Sequence, residues 1–168
     1  PDQYNGHFEV LKTWISRDYL WNTVRQMGGA YGCFVQFNHL TGNFGLVSYR
    51  DPHINRTYAA YDDLPRQIQE LDLSPEVMEQ LVLGTYGSLD PLLAPAARGA
   101  NARNDFLSGV TVEFKQQRVE KALSATVTDL RGFASCFENL VTGGFRATIG
   151  NGDKIRGARD LFSELIEL

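Results

Sequence analysis

Arg25 and Tyr31 place a guanidinium and a phenol six positions apart, separated by Gly28, Gly29 and Ala30. Both groups donate hydrogen bonds, and these are the donor types that hold a peptide carbonyl and stabilise a developing oxyanion. The two flexible glycines between them allow the side chains to converge on one ligand. On a helical wheel Arg25 falls about 260° from Phe8, between Trp14 and Trp21 on one side and Leu11 on the other, so it projects from an apolar arc and not from the solvated face. A second account of the same residue stays open. An arginine near a helix C-terminus is favourable with the helix dipole and can lie across tryptophan rings without touching any ligand.

Other chemistries find little support. The three histidines, His7, His39 and His53, are 32 and 14 positions apart, so no pair sits at i, i+4 to clamp zinc, and both H-E-x-x-H and H-x-x-E-H are absent. His7-Phe8-Glu9 matches the H-x-E of zinc deaminases, but the P-C-x-x-C that must accompany it is missing. There is no G-x-S-x-G elbow for a serine nucleophile. Gly28-Gly29-Ala30-Tyr31-Gly32 has the look of a phosphate loop, yet such loops follow a strand and open a helix, and here the order is helix, glycines, strand.

The elements that position Arg25 and Tyr31 are legible from periodicity. Residues 8 to 26 read as one helix whose apolar arc exceeds half the circumference, so it should be buried on more than one side, and Gly28-Gly29 ends it. From Ala30 the period becomes two: Tyr31, Cys33, Val35 and Phe37 alternate with Gly32, Phe34 and Gln36. A turn at residues 39 to 43 and a second alternating run from Phe44 to Tyr49 complete a β-hairpin, which Arg50-Asp51-Pro52 closes. Two helices follow, 57 to 71, with Pro65 expected to kink or divide it, and 75 to 86, capped by Ser74 with Pro75 in its first turn. Residues 90 to 104 carry two prolines, a glycine and no period, and are expected to form a surface loop. Residues 106 to 141 read as helical, divided near Thr126 by a capping box with Asp129. A short strand at 145 to 149 and a closing helix at 153 to 168 are expected at the end. Adjacent strands joined by a hairpin, with helices gathered in blocks, predict an α+β domain with an antiparallel sheet covered on one face by helices.

Composition narrows the partners. The 168 residues suit a single domain, 1–168, and 43% hydrophobic with 11% aromatic residues is globular composition. The longest apolar run is four residues, so no membrane span is expected. Sixteen basic against twenty acidic residues give a net charge of −4, and without a basic block a nucleic-acid partner is not expected. Two cysteines 103 positions apart define neither a disulfide framework nor a C-x-x-C pair.

Two runs carry a more specific message. Tyr19 to Gly32 (YLWNTVRQMGGAYG) and Ser48 to Pro52 (SYRDP) resemble the C-terminal half of the pitrilysin/insulinase superfamily of zinc metallopeptidases. The resemblance is greatest to the presequence-protease branch, whose last domain carries L-W-x-x-[VI]-R-x-x-G-G-A-Y-G and S-Y-R-D-P. It extends over roughly residues 6 to 142.

That resemblance implies a clamshell of four related α+β domains in two halves, with this chain the last domain and the strand that opens such a domain lying before Pro1. It implies that peptide is enclosed between the halves and that zinc is held by an inverted H-x-x-E-H in the absent N-terminal half, leaving no metal site in this chain. In such enzymes the residues matching Arg25 and Tyr31 complete the active site: Arg25 holds a substrate main-chain carbonyl and Tyr31 stabilises the tetrahedral oxyanion, while Gly28, Gly29 and Ala30 lie along the substrate. The implied partners are the zinc-bearing domains of the same protein and unstructured peptides, in a bacterial cytoplasm or an organelle lumen. By itself the chain is then expected to be inactive. The superfamily also contains members that serve as non-catalytic structural modules, the alternative for this chain, and the presence of both Arg25 and Tyr31 argues against it.

Overall fold

The computed structural model describes residues 4–167. The chain opens with α1 (Gly6–Trp14), which runs without a break into two π-helical stretches, Ile15–Tyr19 and Trp21–Gln26. Asn5 caps it, accepting a hydrogen bond from the His7 amide at 2.9 Å. Val10, Leu11, Ile15 and Leu20 are fully enclosed and Val24 nearly so, as the wide apolar arc requires. Neighbours come close enough to exclude side chains: a Cβ on Gly6 would lie 1.9 Å from the Arg118 carbonyl oxygen.

β1 (Gly32–Asn38) and β2 (Asn43–Tyr49) form an antiparallel hairpin in which Cys33 faces Ser48, Val35 faces Leu46 and Phe37 faces Phe44. These residues turn towards the buried core, while Phe34, on the other face, is exposed. The helices are α2 (Ile54–Gln69), α3 (Pro75–Leu89), α4 (Pro95–Ser108), α5 (Val112–Leu123), α6 (Val127–Arg131), α7 (Ala134–Gly143) and α8 (Gly152–Arg156), followed by a 3₁₀ turn, Arg159–Leu161. α3 and α5 pack against α1, and α7 packs against α2. The result is an α+β arrangement with a two-stranded antiparallel sheet. No helix among the described residues is long and apolar enough to cross a membrane.

Local chemistry predicted several boundaries well. Ser74 caps α3 with Pro75 at its start, and Thr126 and Asp129 form the reciprocal capping box that separates α5 from α6. Four expectations are corrected. Residues 90 to 104 are not a loop throughout: α4 begins at Pro95, whose fixed φ suits a first helical turn, and its alanines favour helix. α4 buries no residue, so no apolar period betrays it. Pro65 does not divide α2, which continues through it. Residues 145 to 149 pair with no strand among the described residues. They are held instead by Tyr58, whose hydroxyl donates to the Ala147 carbonyl at 2.9 Å, and by Arg146, 2.7 Å from Asp62. The closing helix shrinks to α8 and a 3₁₀ turn, since Gly157 stands in its path and Phe162 is extended. Its expected last residue, Leu168, lies outside the described residues.

One buried charge ties this helical layer together. Glu9 is 5% exposed, accepts from the Tyr4 hydroxyl at 2.5 Å and is paired with Lys12. Burial pushes the Glu9 carboxyl up, but the hydrogen bonds from Lys12 and Tyr4, with the charges of Lys12 and Arg118, outweigh it and hold the group below its ordinary value. A depressed carboxyl stabilises the fold above its unfolded value of about 4.5, and that contribution is lost as pH falls through the folded value. Glu9→Gln is therefore expected to cost about 1–3 kcal/mol at pH 7 and to shrink the difference from wild type below pH 4. Denaturant unfolding of both proteins from pH 3 to 7 checks this, and parallel stability curves would contradict it.

Candidate functional site

The site is built at the junction where the first helix hands the chain to β1. Its last turn is π-wound, with the Met27 amide donating to the Asn22 carbonyl at 3.0 Å. Gly29 then adopts φ +78°, its amide donates to the Arg25 carbonyl at 2.8 Å, and the Ala30 amide donates to the Val24 carbonyl at 3.2 Å. This nested pair resembles a Schellman closure widened by one residue, as a π-helical last turn demands. Gly28 is needed for a different reason: a Cβ there would lie 2.4 Å from the Val24 carbonyl oxygen.

The glycines therefore serve the turn itself. Ala30 is 4% exposed, its methyl in the core, so its side chain is turned away from the surface. One residue later Tyr31 emerges 66% exposed. Its amide donates to the Tyr49 carbonyl at 3.1 Å, its ring meets that of Tyr49 edge-on at 6.1 Å, and the Arg50 guanidinium lies 5.7 Å from its centroid.

Arg25 is half-buried, its guanidinium carbon 3.9 Å from the centre of the Trp21 ring. Of the two tryptophans flanking it on the wheel, only Trp21 supports it; Trp14 stacks on Tyr19 at 5.8 Å. Beside Arg25 lies the Cys33 thiol, which burial pushes up, the Arg25 charge draws down and Asp51 raises again. Arg25 and Tyr31 thus stand at one end of the hairpin on separate aromatic supports. No hydrogen bond or cation–π contact joins them among the described residues, and each keeps donor capacity for a ligand.

The SYRDP run is the underside of this site. Ser48 pairs opposite Cys33, and Tyr49 and Arg50 flank Tyr31. Arg50 adopts φ +49°, the only non-glycine residue with positive φ among those described. Asp51 accepts from the His53 amide at 2.9 Å and the Thr57 hydroxyl at 2.5 Å, fixing the start of α2. Pro52 sits under Gly29. Sequence reasoning singled out Arg25 and Tyr31 but read Arg50 and Asp51 only as part of the run that closes the hairpin, because an αL arginine and a carboxylate reaching six residues ahead leave no periodic signal.

No group of three or more His, Cys, Asp or Glu is placed to hold a metal ion among the described residues. His7 lies 3.7 Å from Asp129, His39 stacks on Tyr4 and Phe114, and His53 precedes α2. An aromatic cavity of about 460 Å³ lies towards the hairpin tip, lined by Phe8, Phe37, Phe44 and Phe137, and includes neither Arg25 nor Tyr31.

The α+β arrangement thus offers a guanidinium and a phenol near one end of its hairpin, away from any cluster of metal-binding side chains among the described residues. Comparison with known proteins identifies the family. The family model described as the PreP C-terminal domain matches residues 1–150, and the chain belongs to that family. It is 33% identical over 163 residues to protein HypA of Clostridium perfringens, covering 97% of this chain and 17% of that protein. It is 31% identical over 166 residues to presequence protease 1, chloroplastic/mitochondrial, of Arabidopsis thaliana, covering 99% of this chain and 15% of that protein. With the mitochondrial presequence protease of Aspergillus oryzae it shares 30% over 151 residues, 90% of this chain and 14% of that protein. The chain thus spans about one-sixth of the length of these relatives.

The turn's geometry predicts a rank order. Gly28→Ala should cost more than Gly29→Ala, whose αL penalty is about 1–2 kcal/mol. Gly45→Ala, with open space around it and no positive φ, should stay within about 0.5 kcal/mol of wild type. Denaturant midpoints of the three variants check the order; a Gly28→Ala protein as stable as wild type would contradict it.

Proposed function

We propose that this chain is the last domain of a two-half, presequence-protease-like metallopeptidase that degrades unstructured peptides, and that it completes that enzyme's active site. Arg25 holds a main-chain carbonyl of the bound peptide. Tyr31 donates a hydrogen bond to the oxygen that becomes negatively charged as the scissile carbonyl turns tetrahedral. The observation that carries this reading is the pair itself: two donors on either side of the hydrogen-bonded Gly28–Gly29 turn, in a chain belonging to a presequence-protease family. Gly28, Gly29 and Ala30 form the backbone along which substrate runs.

Such an enzyme's metal, expected to be zinc, does not fit the described residues of this chain, whose histidines His7, His39 and His53 stand in separate places. The metal belongs to the preceding half, the partner with which this domain encloses peptide. The compartment is a bacterial cytoplasm or an organelle lumen, the latter in keeping with relatives named as chloroplastic or mitochondrial.

In the full-length enzyme Tyr31→Phe should lower kcat roughly 10²- to 10³-fold with little change in KM, because the phenol's bond strengthens only as charge develops. Arg25→Ala should raise KM as well as lower kcat, since a carbonyl clamp acts on bound substrate and transition state alike. Both should retain the enzyme's metal content and melting temperature. Wild-type kcat in a stable, metal-replete Tyr31→Phe enzyme would overturn the reading and favour a non-catalytic module.

A further inference from the structure

Trp21 makes a poor core residue. It is 39% exposed, whereas Leu20 and Val24 beside it are buried. Its indole face instead carries the Arg25 guanidinium at 3.9 Å, four positions along the π-wound turn. Among the described residues no carboxylate forms an ion pair with Arg25, so the ring is its principal support. A guanidinium directs all its N–H bonds outward in its own plane, so stacking covers a face without consuming a donor.

We propose that Trp21 is a positioning residue: its ring holds the Arg25 guanidinium flat and orders it before substrate arrives, with the N–H edge left free for a main-chain carbonyl. The inference rests on the reading of Arg25 as a carbonyl clamp. An unsupported arginine would lose its rotamer freedom only on binding, at the expense of affinity. Covering one face also removes competing water, which strengthens the hydrogen bonds made at the edge. A π-helical turn, uncommon in itself and frequent at functional sites, sets the two side chains in register.

The test is a double-mutant cycle in the full-length enzyme with a fluorogenic peptide, following KM, kcat and melting temperature. Trp21→Ala should raise KM about fivefold, with a smaller fall in kcat. Trp21→Phe, which keeps an aromatic face, should restore KM to within about twofold of wild type. In an Arg25→Ala background, Trp21→Ala should add nothing, because its effect passes through the guanidinium. Impaired Arg25→Ala with normal Trp21→Ala, or effects of the two that multiply independently, would overturn the positioning role alone. Arg25→Ala with wild-type kinetics would overturn the clamp reading and this inference with it. A Trp21→Phe enzyme as impaired as Trp21→Ala, with both melting early, would show the ring to be structural and also overturn the proposal.

Discussion

A carbon atom added at Gly28 would stand 2.4 Å from the Val24 carbonyl oxygen, and much of the arrangement at the mouth of the hairpin depends on that closeness. The helix ends on a widened turn, and the chain must reverse within three residues to enter β1. Gly28 permits the contact, and Gly29 supplies the left-handed backbone at φ +78°. The Ala30 methyl then anchors the strand's start in the core, so Tyr31 leaves the surface with its backbone already bonded to Tyr49. Arg25 is fixed on the other side of the same turn. The separation of the guanidinium and the phenol is therefore set by backbone hydrogen bonds more than by side-chain flexibility.

Tyr49 and Arg50 flank Tyr31, Asp51 secures the start of α2 through the His53 amide and Thr57, and Pro52 lies beneath Gly29. Strain at Arg50, in a conformation that side chains rarely adopt, is concentrated where the exposed phenol needs a wall. The two runs that carry the family resemblance thus form one physical unit, although 15 residues lie between them. The chain that carries this unit spans about one-sixth of the length of its relatives.

Where local chemistry decides structure, the sequence was informative. Alternation from Tyr31 to Phe37 revealed the hairpin, and Ser74-Pro75 and Thr126-Asp129 marked helix starts through caps that need only their own neighbours. Where packing or distant pairing decides, it was silent. α4 has no buried face and so no period, and residues 145 to 149 alternate like a strand but gain their contacts from Tyr58 and Asp62, more than 80 residues away. The wheel placed Arg25 between Trp14 and Trp21 by assuming α-helical winding, whereas π-winding over Trp21–Gln26 leaves Trp21 alone beneath it. Arg25 and Tyr31 were legible as donors; their separate aromatic supports were not, because stacking across an unusual turn has no sequence period.

The central claim is that this turn presents both donors to a peptide backbone. A crystal structure of the intact enzyme with a peptide analogue bearing a tetrahedral phosphinate at the scissile position tests it most directly. The account predicts the Tyr31 hydroxyl about 2.7–3.1 Å from a phosphinate oxygen, and an Arg25 N–H in hydrogen-bond range of a main-chain carbonyl, the guanidinium still resting on Trp21. A bound analogue that meets neither side chain, with Arg25 and Tyr31 turned to solvent or to a domain interface, would contradict it.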